Sequence, residues 1–445
     1  MGRSSIRIGS GAGFAGDRID PAAALAEHGK LDYLVFECLA ERPIAMAVRA
    51  KQDDPEKGYD PLLQERLSAV LPGAAANKAK IISNMGAANP VAAARAASAI
   101  ARKMGIGPLN IAAIAGDDVL AEISDTSPLL EGGTVAEWPG ELIAANVYLG
   151  ADPIVQALAE GADIILTGRV ADPSLFLAPM IHEFGWPADD WRRLGQGTAV
   201  GHLLECAGQV SGGYFADPGF KDVPDLANLG FPFADVDANG EAVISKLPDS
   251  GGLITAATCK EQLLYELHDP SCYLTPDVTA DFRGVRLEQR GPDTVAVSGG
   301  TGTARPKQLK ATLGYHEGYF GEGQISYAGP GCVPRANLAL RIVEERLKRL
   351  AGEIIELRLD LIGVNAIAPV ARPPAEQTEV RARIAARTRT PQAAAWIGRE
   401  VEALYTNGPA GGGGVTQSVR PVVAAASTLI ARERVTPRTH WEIVS

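Results

Sequence analysis

Residues 162–186 read ADIILTGRVADPSLFLAPMIHEFGW. The apolar run Ile164–Ile165–Leu166 is too short for a helix and stops before Gly168, a turn signal, so it predicts a buried strand over 163–167. Asp172–Pro173 then opens a helix, with Asp172 expected to cap the free amides and proline tolerated in the first turn. Leu175, Leu177, Met180, Ile181 and Phe184 give that helix an apolar face, and Pro179 is a candidate kink. Thr167, Gly168, Arg169 and Asp172 are left at the carboxyl end of a strand, where open α/β sheets bind ligands. The plainer alternative is that Asp172 only caps and Arg169 only pairs with a surface carboxylate.

The same punctuation recurs through the first half: apolar strand, small residues, a polar group, an Asp/Asn–Pro helix start, a helix and a closing glycine. Strands are expected at 5–10, 31–37, 80–83, 110–115 and 144–149, besides 163–167. Helix starts follow at Asp20–Pro21, Asp60–Pro61, Asn89–Pro90 and Asp152–Pro153. This predicts an α/β fold: a largely parallel sheet with crossover helices over residues 1–245, then a smaller α+β domain over 246–445. A parallel sheet would line up Asp17, Glu37, Asn84, Asp117, Asp118, Arg169 and Asp172 along one edge. Helix amino ends there favour an anion, whereas the carboxylates suit acid–base work or a divalent cation.

Gly11-x-Gly13-x-x-Gly16 matches a dinucleotide fingerprint, and Glu37 lies about the expected ~20 residues further on. In that motif the glycines open the helix directly. Here Asp17, Arg18 and Ile19 intervene, and Pro21 would break a helix begun at the glycines. The reading adopted is a Gly-rich loop carrying Asp17 and Arg18 above the sheet, with an NAD(P) oxidoreductase as a rival.

Composition narrows the classes. Hydrophobic residues make up 46% of 445, enough for a large core. A net charge of −11 argues against a general nucleic-acid binder. No apolar run approaches membrane-span length, and MGRSSIRIGSGAG lacks a signal-peptide core, so no membrane partner is expected. Five scattered cysteines without CxxC, and no HExxH, leave reduced thiols in a cytoplasm as the expectation.

In the second half His202 and Glu205 fall at i, i+3 on an expected helix, which a simple surface pair would also explain. Residues 212–240 are loop-rich and aromatic, a candidate lid. A strand then a helix is expected over 253–267, strands at 295–297, 310–331 and 353–362, and helices at 334–350 and 391–405. His316 is a candidate general base. Gly411, Gly412, Gly413 and Gly414, before a helix expected from Val415, form a candidate anion cradle of backbone amides.

The stretches GSGAGFAGDR, LVFECLAER, ADIILTGRVADPS, LITAATCKEQLLYELHDP, YLTPDV and NGPAGGGG together resemble the acyclic terpene utilisation (AtuA) family over nearly the whole chain. The resemblance implies breakdown of citronellol- and geraniol-like terpenes, whose routes handle branched acyl-CoA thioesters and their carboxylates. It also implies a hetero-oligomer with a small companion subunit, beside the homo-oligomer expected of the chain itself. The expected function is therefore a catabolic hydratase or lyase on a small anionic carboxylate or branched acyl-CoA. Glu37, Asp117, Asp118 and His316 are its candidate acid–base groups, and Asp17, Arg18, Asn84, Arg169, Asp172 and Gly411–Gly414 its candidate binding groups. No cofactor is assigned beyond a candidate divalent cation and CoA carried by the substrate. The alternative class is a non-catalytic anion-binding subunit of a hetero-oligomeric enzyme.

Overall fold

The structure, a computed structural model, describes residues 3–367 and 377–445. The elements begin with β1 (Ser5–Ala12), α1 (Asp20–His28), β2 (Tyr33–Phe36), α2 (Glu41–Asp53), α3 (Leu63–Asn77), β3 (Lys80–Ser83), α4 (Pro90–Met104) and β4 (Leu109–Ala115). They continue with β5 (Glu141–Val147), α5 (Asp152–Ala159), β6 (Ile164–Thr167), α6 (Asp172–Phe184), α7 (Trp191–Glu205), β7 (Pro232–Asp237) and β8 (Ala242–Lys246). Next come α8 (Ala256–Leu264), β9 (Tyr273–Leu274), β10 (Thr279–Asp281), β11 (Arg286–Gly291), β12 (Thr294–Ser298), β13 (Thr301–Thr303) and β14 (Gln308–Ala328). The last are α9 (Cys332–Leu347), β15 (Ile354–Ile362), β16 (Glu379–Thr388), α10 (Pro391–Glu402), α11 (Leu404–Asn407), β17 (Gly413–Ala431) and β18 (Arg438–Val444).

The protein is mixed α/β. Its largest sheet has ten strands in the order β11-β12-β8-β7-β1-β2-β3-β6-β4-β18. The central five, β1-β2-β3-β6-β4, pair in parallel. Antiparallel strands extend both flanks. The parallel strands are apolar on both faces because helices cover them: Leu34, Ile81, Ile111 and Ile164 join residues of α1, α3 and α4 in one core. Helix ends follow the expected chemistry in part. Asn89 caps α4 by accepting from Ala92 N, and Gly105 and Gly185 close α4 and α6 in the left-handed conformation.

Four expectations need correction. β5 does not join the parallel sheet; it pairs with β14. Residues 415–431 form strand β17 rather than a helix. No strand precedes α8 at residue 253. The expected boundary at 245 falls inside β8, and β11, β12 and β18 join the same sheet from beyond it.

The chain instead divides into two compact units: Met1–Ala136 with Ile143–Gly314 and Ala425–Ser445, and Glu137–Leu142 with Tyr315–Ala424. The second unit has its own core, in which α9 and α10 cover Ile325, Tyr327, Val380, Ala382 and Ile384.

Candidate functional site

The parallel order makes β2, β3, β6 and β4 neighbours, so the polar groups after them converge. Glu37, after β2, accepts from Leu39 N at 2.8 Å and from Asn84 Nδ2, after β3, at 3.0 Å. Asn84 Oδ1 in turn accepts from Cys38 N. Asp117, after β4, accepts from Asn146 Nδ2 and from the backbone N of Arg169, each at 2.9 Å. Gly168 is required there: a Cβ on it would stand 2.3 Å from Asp117 Oδ1. Asp17, after β1, folds back onto the Gly-rich loop and accepts from Gly13 N. The loop's amide is thus filled by the chain's own carboxylate.

Arg169 is the centre. It is 1% exposed, yet its Nε and Nη1 make no hydrogen bond. Nη1 lies 3.4 Å from Asp172 Oδ1, which also lacks a hydrogen bond, and Nη2 lies 3.6 Å from Glu41 Oε1. The guanidinium stacks 4.2 Å over the Tyr148 ring. Asp172 therefore does not cap α6, whose cap residue is Ala171 with no side-chain bond; it faces Arg169 instead.

His202 and Glu205 complete the cluster. They are not a surface pair: both are buried, with Nδ1 and Oε1 2.6 Å apart. The cause is α7 itself, buried on every side over Leu194–Glu205. Its Gly195 and Gly201 let it approach Thr301 O and Pro173 O more closely than any side chain would allow. The His202 ring lies against Tyr273 and Phe282. Glu205 Oε2 has no hydrogen bond.

Two cavities within the first unit meet at these residues. One, of about 460 Å³, is lined by Tyr148, His202, Tyr273 and Lys310 among others. The other, of about 630 Å³, is lined by Asp17, Arg18, Glu37 and Cys206 among others. Both include Glu41, Arg169, Asp172, Glu205 and Glu266 in their walls. These volumes suit small ligands.

Burial sets the protonation balance. It pushes the carboxyls of Glu37, Asp172 and Glu205 above their ordinary range, and Asp117 up to about 6. Burial pulls His202 down, but the charge and hydrogen bond of Glu205 outweigh it and hold the imidazole above its ordinary value. Burial would also raise Glu41, but Arg169, the Tyr148 hydroxyl and Lys310 outweigh it and keep it below.

Several candidates stand apart. Asp118 is exposed, and its carboxylate turns back to accept from Leu120 N. Arg18 is exposed and donates to the carbonyls of Leu226 and Ala227, while lining the second cavity. Asp117 and Asn84 line neither cavity and act by holding Arg169 and Glu37. His316 and Gly411–Gly414 belong to the second unit. Gly411 and Gly412 lead into β17 and Gly413 and Gly414 begin it, so no helix amino end gathers their amides. Outside the candidate set were Glu41, Tyr148, Glu205, Glu266 and Lys310, of which Glu41 carried the signal of following the strand at 31–37 and Glu205 that of its spacing from His202.

The fold and cavity define a mixed α/β protein with a carboxylate-walled site built around one buried arginine. The chain matches the family model of the acyclic terpene utilisation family protein AtuA over residues 6–441, and it belongs to that family. No curated protein and no solved structure matches it. Among the described residues no helix is long and apolar enough to cross a membrane.

Proposed function

We propose that this chain is a catabolic hydratase or lyase acting on a small branched carboxylate or its CoA thioester, within acyclic terpene utilisation. The observation that supports this most is Arg169, a buried cation with two undirected N–H groups in the wall of both cavities. Such a group is complementary to a carboxylate, or to the enolate oxygen that forms when a proton leaves the carbon beside a carbonyl. Hydration of a conjugated double bond forms a C–O bond at the β-carbon and delivers a proton to the α-carbon. Glu205, held by His202, and Glu37, held by Asn84, flank Arg169 as the acid–base pair for those proton movements. Burial favours their protonated forms, which suits the acid role. A cytoplasmic oligomer with a small companion subunit belongs to the same proposal, as does CoA carried by the substrate.

The test is turnover. The carboxylates obtained by oxidising geraniol- and citronellol-like alcohols, and their CoA thioesters, are incubated with the protein while the conjugated double bond is followed by absorbance. Turnover abolished in Arg169→Ala and in Glu205→Gln is the expected result. Ligand binding without turnover in the isolated chain would instead assign it to an anion-binding subunit.

A further inference from the structure

Glu41, the first residue of α2, is the meeting point of donors from the loops after β5 and β6 and from β14. Tyr148 donates its hydroxyl to Glu41 Oε1. Arg169 Nη2 lies 3.6 Å and Lys310 Nζ 3.8 Å from that same oxygen. Both cations also face the Tyr148 ring, at 4.2 and 5.2 Å. The ion-pair distances exceed hydrogen-bond lengths, so Glu41 neutralises the cations without saturating their N–H groups. Nε and Nη1 of Arg169 stay buried and without a hydrogen bond. Arg169 is fixed while its acceptor is not: the Arg169 side chain is 2% exposed, whereas those of Glu41 and Lys310 are 41% and 44% exposed. Glu41 can swing toward solvent without opening the core.

We infer, on the reading that Arg169 binds the ligand, that Glu41 is a resident stand-in for the substrate's own carboxylate, and that the substrate is a free carboxylate rather than a thioester. Arg169, Lys310 and Tyr148 converge on one carboxylate oxygen, Nε and Nη1 of Arg169 are left without a hydrogen bond, and the protein already keeps a carboxylate at this place. Exchange conserves the charge around Arg169, where Glu37, Asp172 and Glu205 already stand close; an anion added beside an unmoved Glu41 would meet a further like charge. A thioester carbonyl is neutral and offers one acceptor oxygen. Exchanging Glu41 for it would take a negative charge away from beside the buried Arg169 and the partly exposed Lys310.

The experiment is titration calorimetry of 3-methylbut-2-enoate and of its CoA thioester against the wild-type protein, Glu41→Ala, Glu41→Gln and Arg169→Ala. Removing the competing carboxylate should raise affinity for the free acid about tenfold in both Glu41 variants, the size of one charged hydrogen bond, and leave the thioester unchanged. Arg169→Ala should lose the acid. If Arg169→Ala loses the acid while neither Glu41 variant gains, the stand-in falls and the Arg169 reading survives. If the thioester gains as much as the acid, the assignment to free carboxylates falls. If Arg169→Ala binds the acid as well as wild type, or no protein binds either probe, the underlying reading falls with it.

Discussion

Burying a guanidinium with open donors costs several kcal/mol of lost hydration, so the surroundings of Arg169 have to offset it. They do so with charge and an aromatic face rather than with close hydrogen bonds: Asp172 and Glu41 at 3.4 and 3.6 Å, and Tyr148 beneath. A lysine keeps the charge but loses the planar fork, so Arg169→Lys should recover only part of the carboxylate affinity that Arg169→Ala loses, measured by calorimetry on both. Asp117 sets the backbone position of Arg169 and gives a pH prediction. Its folded value of about 6 lies above the ordinary carboxylate value, so the folded state binds the proton more tightly than the unfolded chain does. The stability this supplies is complete below the ordinary value and is lost as pH rises through about 6, by roughly 3 kcal/mol. Wild type should therefore lose melting temperature between pH 5 and pH 7, and Asp117→Asn should show a smaller difference between the two. An equal difference would show that Asp117 does not carry the effect. Arg169 and Asp172 were legible as candidates because both follow an apolar strand. Glu41 also follows one, but its role was not legible, since its partners Tyr148 and Lys310 lie far away in sequence.

Among elements, the parallel strands were readable because each is a short apolar run closed by small residues and an Asp/Asn–Pro pair. The burial of α7 was not. Its sequence, WRRLGQGTAVGHLLE, has weak amphipathic character, and its glycines read equally well as loop. Packing decides the matter: the missing Cβ of Gly201 leaves room for Pro173 O at 2.7 Å, and of Gly195 for Thr301 O at 2.0 Å. Gly201→Ala should force α7 off α6, lowering melting temperature and weakening carboxylate binding together, because His202 follows at the next position. Gly413→Ala, where an added Cβ meets nothing within 4 Å, is the control and should change neither. The first Gly-rich loop makes a related point. Gly13 N already donates to Asp17, and Arg66 binds the carbonyls of Phe14, Ala15 and Asp17 from below. The loop is ordered by its own chain, and titration with NAD or NADP is expected to give no heat of binding.

Over the whole molecule, the excess of 53 acidic over 42 basic residues makes the use of each cation informative. In the second unit arginines are used for cohesion. β16 alternates Val380, Ala382 and Ile384 toward the helices with Arg381 and Arg383 on the other face. That period of two was there to be read, although β16 is absent from the expected strands; the antiparallel flanks of the large sheet, by contrast, left little mark beyond β12. Arg383 bridges two carboxylates, donating from Nε to Glu322 at 2.6 Å and from Nη1 to Asp360 at 2.9 Å. The Asp360 side chain is 7% exposed, so removing the arginine leaves a nearly buried carboxylate that, among the described residues, keeps the exposed Arg358 as its ion-pair partner. Arg383→Met fills the volume but supplies no charge, and should cost about 2–4 kcal/mol. Arg383→Lys can serve one carboxylate but not both in the same geometry, so it should fall between the two. Denaturant unfolding of the three proteins checks the ranking, with carboxylate affinity at Arg169 measured on each sample as a control for native folding. A methionine variant as stable as wild type would mean that Glu322 and Asp360 do not depend on Arg383 for compensation.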